Sequence, residues 1–243
     1  MNDIFLIYAH RGSSIKYPEN TILSFSKALT EGANGIELDV QLTKDKQVVV
    51  FHDLSLRRIL KKRGQISDYT LKQIRQFDVG SWKNPAFKGT KIPTLDEVLR
   101  LASKHNIIVN IELKNLLDMK NGLEQYVIDK IIQYNMKQRS VISTFNPLSL
   151  KILQKKCKGI PYALLYFGFL NDPWTYTREY GCSYIHPPVQ EVSELFIDTA
   201  RANGLKIVPY QVNTLNDIQK MVELGVDGII TPRPSLAHRY LYE

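Results

Sequence analysis

Cysteine is scarce in this chain, with Cys157 and Cys182 the two examples among 243 residues. Two thiols cannot build a disulfide framework or, by themselves, a thiolate zinc site. The expectation is therefore a reduced, cytoplasmic protein. Long apolar runs are also missing: nothing approaches the roughly 18 residues needed to span a bilayer. A strand-like run over residues 4–9 begins almost at Met1, so no signal peptide is expected. The sequence has no Walker loop, dinucleotide glycine pattern or serine elbow. Repeats, low-complexity tracts and Gly/Ser linkers are absent as well. What remains is 44% hydrophobic and 23% charged, a composition that excludes extended disorder and suits one domain.

Charge is distributed unevenly. Between Asp53 and Pro93 there are ten basic and three acidic residues, so this segment supplies +7 of the net +8. One segment is basic, not the whole protein. With no long basic stripe and no nucleic-acid-binding motif, nucleic acid is not the expected partner. The cluster Arg57, Arg58, Lys61, Lys62 and Arg63 reads instead as an electropositive flap for anionic small molecules, or as a solvated surface insertion.

Ile- and Val-rich runs alternate with helical-period segments almost from end to end. Strands are expected over 4–9, 34–39, 107–113, 141–144, 161–166, 183–186, 205–210 and 226–231. Helices are expected over 19–30, 95–104, 123–134, 148–156, 174–180, 192–202, 215–224 and 235–240. Eight strand–helix pairs predict an α/β fold, the (β/α)8 TIM barrel. A ninth strand-like run, 47–51, follows too closely on the second strand for a parallel crossover. It reads as a hairpin turning on Asp45-Lys46, with Lys44 opposite Gln47 and His52 opposite Asp39. The expected architecture is one domain over 1–243, with the hairpin and a basic insertion at about 53–93 between the second barrel strand and its helix.

Polar residues at strand ends suggest the chemistry. Glu37 and Asp39 stand two apart and so share one side of a strand, and Glu112 repeats the pattern on the next barrel strand. Barrel active sites lie at the C-terminal strand ends, where these acids converge. Three carboxylates without cysteine suit a hard divalent cation, Mg²⁺ or Ca²⁺; the alternative is acids paired with Arg11 and Lys114 and no metal. His10 ends the first strand and His52 ends the hairpin, a pairing that suits general acid and base catalysis. His186 ends another strand and is a candidate pocket residue. His105 and His238 read as surface residues.

Several stretches carry a resemblance. They are Ala9-His10-Arg11-Gly12, Pro18-Glu19-Asn20-Thr21, Gly35-Ile36-Glu37-Leu38-Asp39-Val40, Phe51-His52-Asp53, Ile111-Glu112-Leu113-Lys114, and Val212-Asn213-Thr214 with the run from Gly225 to Thr231. Together they resemble the glycerophosphodiester phosphodiesterases over practically the whole chain. The resemblance implies a phospholipase-like barrel that hydrolyses deacylated phospholipids to sn-glycerol 3-phosphate and an alcohol. It implies His10 and His52 as acid and base, Glu37, Asp39 and Glu112 as metal ligands, and Arg11 and Lys114 as phosphate-neutralising groups. The chain departs from the pattern at Tyr210-Gln211, where many relatives have Trp-Thr, and at Pro232, where many have Asp. Tyr210 is accordingly a candidate for holding the glycerol or leaving group. Two other enzyme readings share this chemistry: a lysophospholipase D and a phosphoinositide-type phosphodiesterase. A non-catalytic glycerophosphodiester binder would be expected to have lost one of these residues, and all are present. Small diesters, with no stable membrane insertion, are the expected partners; the oligomeric state is not legible.

Overall fold

The computed structural model describes residues 4–116 and 121–243. Strands β1 (Leu6–His10), β2 (Gly35–Leu42), β4 (Ile108–Leu113), β5 (Ser140–Thr144), β6 (Tyr162–Leu165), β7 (Tyr184–His186), β8 (Lys206–Ile207) and β9 (Gly228–Thr231) run parallel, each beside the next. Hydrogen bonds from Asp227 N to Ile207 O and from Ile230 N to Pro209 O, both 3.0 Å, link the last two and close the ring. The helices that cover it are α1 (Ile22–Thr30), α4 (Leu95–His105), α5 (Leu123–Gln133), α6 (Pro147–Lys156), α7 (Pro173–Tyr180), α8 (Glu194–Ala202), α9 (Leu215–Leu224) and α10 (Pro234–Tyr242). This is the expected TIM barrel. Among the described residues, no helix is long and apolar enough to cross a membrane.

Local chemistry explains where helices start. Thr21, Thr94 and Thr214 each accept through Oγ1 from the N–H of the residue three positions on and donate their own N–H to that residue's side chain. Asn146 caps α6 ahead of Pro147 at its first position. Strand alternation divides the core into two parts. Ile7, Ile36, Leu38 and Val109 face outward into a large cluster with the helices, whereas Leu6, Tyr8, Val208 and Ile230 fill the barrel interior. Gly35 registers with Tyr8, and a Cβ at Gly35 would lie 2.7 Å from that ring. A larger residue there would displace the interior packing.

The expected strand over 205–210 is regular only for two residues, because Pro209 has no N–H to donate. A bridge between Pro188 and Tyr210 continues it. The hairpin forms, but in a different register. The short strand β3 (Val48–Val50) pairs Val50 with Val40 and Val48 with Leu42. The loop is three residues, Lys44 to Lys46, with Lys46 left-handed at φ 59°, a common hairpin geometry. Phe51, and not His52, therefore sits opposite Asp39, its N donating to Asp39 O at 2.9 Å. His52 lies past the regular strand and is placed by irregular backbone.

Beyond it, the basic insertion has its own core. Leu56, Ile59, Ile66, Ile74, Val79 and Ile92 pack with Val49 and Phe51 of the hairpin, around two short helices, α2 (Arg57–Leu60) and α3 (Leu71–Ile74). Lys83 Nζ donates to Ser14 O at 2.8 Å, and Arg58 reaches Glu19. These bonds fasten the insertion to the β1–α1 loop, at the end of the barrel where the strand C-termini lie.

Candidate active site

His10 ends β1 in register with Glu37, and Asp39 registers with Glu112 across β2 and β4. The period of two turns Glu37 and Asp39 to one side, and parallel pairing sets Glu112 beside them. Oxygens of the three carboxylates lie within 4.8 Å of one another. Two cations are embedded in this cluster. Arg11 Nε is 3.2 Å from Asp39 Oδ2, and Arg11 N donates to Glu37 Oε2 at 3.0 Å. Lys114 Nζ donates to Glu112 Oε1 at 2.7 Å and stands 3.7 Å from Asp39 Oδ1.

Two cations do not balance three largely buried carboxylates. Burial opposes ionisation of Asp39, but Arg11, Lys114 and the Asn20 amide at 2.8 Å outweigh it and hold its pKa at about 2. Glu37 and Glu112 shift the other way, raised first by burial and then by neighbouring carboxylates. The residues fit a divalent cation on this structure's own terms. All three donors are hard oxygens, two of them have raised pKa values, and buried Asp39 Oδ1 receives no hydrogen bond among the described residues.

His10 and His52 line one cavity of about 110 Å³ with Arg11, Glu37, Glu112, Lys114 and Tyr210. Asp39 lies buried behind that lining. The His10 side chain is 14% exposed, with Nε2 3.9 Å from Glu37 Oε2. Burial, then Arg11, lowers its pKa to about 3, so the ring is neutral near pH 7. His52 Nδ1 is 2.7 Å from Asp53 Oδ1. Asp53 is held well below the usual carboxylate range: burial opposes this, but hydrogen bonds from His52 and Arg58 prevail. An ionised carboxylate only accepts, so Nδ1 of His52 bears the proton and Nε2 is left for other partners.

The sequence reading missed the network behind Asp53. Arg58 donates from Nε to Asp53 Oδ2 at 2.7 Å and from Nη1 to Glu19 Oε2 at 2.8 Å. Glu19 in turn accepts from Arg11 Nη1 at 3.1 Å. A continuous path thus runs from His52 through Asp53, Arg58, Glu19 and Arg11 to Asp39. Glu19 and Asn20 lie in the Pro18–Thr21 stretch, whereas Arg58 belongs to the basic cluster, where nothing in the sequence points to its partners. Phe145 and Phe167 also line the cavity, stacked with ring centroids 3.9 Å apart. Tyr210 presents its ring, since its hydroxyl donates to Tyr166 O. On the floor, Asn110 Oδ1 and Ser143 Oγ have no hydrogen-bond partner among the described residues.

Two histidine expectations need correction. His186 is buried and does not line the cavity, because its position on β7 turns it into the barrel interior. His238 is not a free surface residue: it packs against Gly32, where a Cβ would lie 2.3 Å from its ring.

The family model for the glycerophosphoryl diester phosphodiesterase family matches residues 10–236. A glycerophosphodiester phosphodiesterase of Caldanaerobacter subterraneus is 39% identical over 94% of this chain and 94% of its own. One from Bacillus altitudinis is 36% identical over 95% and 96%. Among solved structures, an Oleispira antarctica phosphodiesterase in complex with the product sn-glycerol-3-phosphate superposes with TM-score 0.87. It is 26% identical, covering 98% of this chain and 97% of its own. With the match spanning the barrel and all the acids, cations and histidines of its mouth, the chain belongs to the glycerophosphoryl diester phosphodiesterase family, a family of phosphodiester hydrolases.

Proposed function

We propose that the chain hydrolyses glycerophosphodiesters, deacylated phospholipids such as glycerophosphocholine or glycerophosphoethanolamine, to sn-glycerol 3-phosphate and the free alcohol. The observation that carries this reading is the convergence of two histidines on a cavity walled by carboxylates and cations. The product bound by the Oleispira relative supports the same substrate class.

Glu37, Asp39 and Glu112 would hold Mg²⁺ or Ca²⁺, which when bound supplies positive charge to the phosphate oxygens. Arg11 and Lys114 neutralise the charge that grows on those oxygens; both are fixed by carboxylates before substrate arrives, so little reorganisation is needed. His10, neutral in the resting site, takes the proton of the nucleophile, either water or the glycerol 2-hydroxyl acting through a cyclic phosphate. His52, oriented by Asp53 through Nδ1–H, enters the reaction with a second proton on Nε2 and gives that proton to the departing alcohol. Tyr210 and Phe145 wall the glycerol or leaving group. Asn110 and Ser143 offer acceptors for a hydroxyl. The setting is cytoplasmic and the partner a small molecule.

Phosphorus NMR tests this with glycerophosphocholine, glycerophosphoethanolamine and a DNA oligonucleotide, each with and without Mg²⁺ or Ca²⁺. Cation-dependent release of sn-glycerol 3-phosphate from the first two is expected. No turnover of either diester would overturn the reading.

A further inference from the structure

Hydrolysis of a small polar diester leaves the outer rim of the barrel mouth unused, and that rim is apolar. In a β/α barrel, strand C-termini and helix N-termini share one face. Exposed large apolar side chains collect there: Ile15 follows β1, Phe167 and Phe169 follow β6, and Leu148, Leu195 and Leu215 stand in the first turns of α6, α8 and α9. Phe167 is 70%, Phe169 83% and Leu195 76% exposed. Between the loop after β6 and the start of α8 lies an open groove of about 460 Å³, walled by Leu170, Trp174 and Phe196. The groove adjoins the cavity. Phe167 lines the cavity and Phe169 lines the groove, and two residues of chain span at most about 7 Å.

Further around the same mouth, the insertion presents Arg57, Lys61, Lys62 and Arg63, all exposed and in no ion pair among the described residues. Apolar tips together with basic charge outside any ion pair, on one face of the barrel, is the combination that binds an anionic membrane interface. A small anionic substrate explains the basic residues but not Phe169 or Leu195.

We propose that the catalytic face docks on an anionic lipid bilayer. Phe167, Phe169 and Leu195 enter the headgroup layer, and the insertion lies over anionic headgroups. The docking does not rest on the hydrolase reading above.

Co-sedimentation of the full chain with phosphatidylcholine vesicles, with and without phosphatidylglycerol, tests it. The wild type is expected to pellet with the anionic vesicles and to release as salt rises. Lys61→Glu/Lys62→Glu should weaken binding at least about 25-fold, since each basic residue near the surface is worth about fivefold in partitioning. Phe169→Ser/Leu195→Ser should weaken it at every salt concentration. Phe169→Ser/Leu195→Ser should turn over glycerophosphocholine like the wild type, and Lys61→Glu/Lys62→Glu should keep its kcat with a kcat/KM that recovers as salt rises, which shows that both fold. No pelleting, or pelleting indifferent to both variants, would overturn the docking. So would self-association abolished by Phe169→Ser/Leu195→Ser, which would assign the face to a second copy. Loss of glycerophosphocholine turnover in the wild type would instead strike the hydrolase reading and leave the vesicle result standing.

Discussion

Arg58 bonds two carboxylates with one guanidinium, and through Asp53 it fixes the ring of His52. Removing it leaves Asp53 and Glu19 without their shared partner. Arg58→Met is expected to lower kcat about tenfold or more with little change in KM, and to alter the pH profile; Arg58→Lys should restore little, because an ammonium cannot bridge two carboxylates as a planar fork does. Steady-state kinetics over pH checks this, and a loss confined to KM would make Arg58 a substrate contact. Neutralising Arg57, Lys61, Lys62 and Arg63 should act differently, lowering kcat/KM by an amount that shrinks with salt. The histidines separate by leaving group. His10→Ala and His52→Ala should each lose about 10² to 10⁴ in kcat on glycerophosphocholine. With a p-nitrophenyl phosphodiester, whose leaving group needs no protonation, only His52→Ala should recover. Recovery by His10→Ala instead would reverse the two roles.

At the scale of elements, the β1–α1 loop holds His10 and Arg11 at the mouth. Gly12 turns this loop at φ +84°, where a Cβ would also lie 2.4 Å from Ser24 Oγ. Ser24 is itself engaged, its hydroxyl donating to Arg11 O at 3.0 Å while its N is capped by Thr21. Gly12→Ala meets both a left-handed backbone and an occupied space, so it should cost about 2 kcal/mol or more. Urea unfolding measures that cost, and an unchanged midpoint would show slack in the loop. The hairpin teaches a related lesson. The sequence reading placed the turn on two residues, but Asp45 accepts from Thr43 Oγ1 at 2.6 Å and from Leu71 N at 2.9 Å, tying a three-residue loop to the insertion. A one-residue change in register followed.

Across the whole molecule, the acidic cluster links stability to pH and to cation. Glu37 and Glu112 have raised pKa values when folded, so the folded state binds their protons more tightly than the unfolded chain. Their contribution is fully present below the unfolded value, about 4.5, and declines as pH rises through the raised folded values. Asp39, held near 2, acts oppositely: its contribution is present above its unfolded value and is lost as pH falls toward 2. Chelated protein should therefore lose thermal stability from about pH 4.5 upward, and Mg²⁺ or Ca²⁺ should remove that slope. Glu37→Gln should be more stable than the wild type in EDTA at pH 8 and indifferent to cation. Thermal melts across pH, with and without cation, check this. Identical wild-type curves in EDTA and Mg²⁺ or Ca²⁺ would refute a site for these ions.

The sequence by itself determined the barrel and the residue types at its mouth. Strand and helix periods, threonine caps and acids two apart on a strand are local properties, so a linear reading recovers them. Of the nine candidate residues seven line one cavity, Asp39 lies directly behind it, and His186 does not reach it. Only tertiary structure decided which charges are spoken for and which surfaces stay open. Arg58 meets Glu19 from 39 positions away, His186 is buried by barrel closure, and Phe169 and Leu195 are exposed because no other described element covers them. Burial and long-range pairing depend on what folding brings together in space, and no period or motif along the chain encodes that.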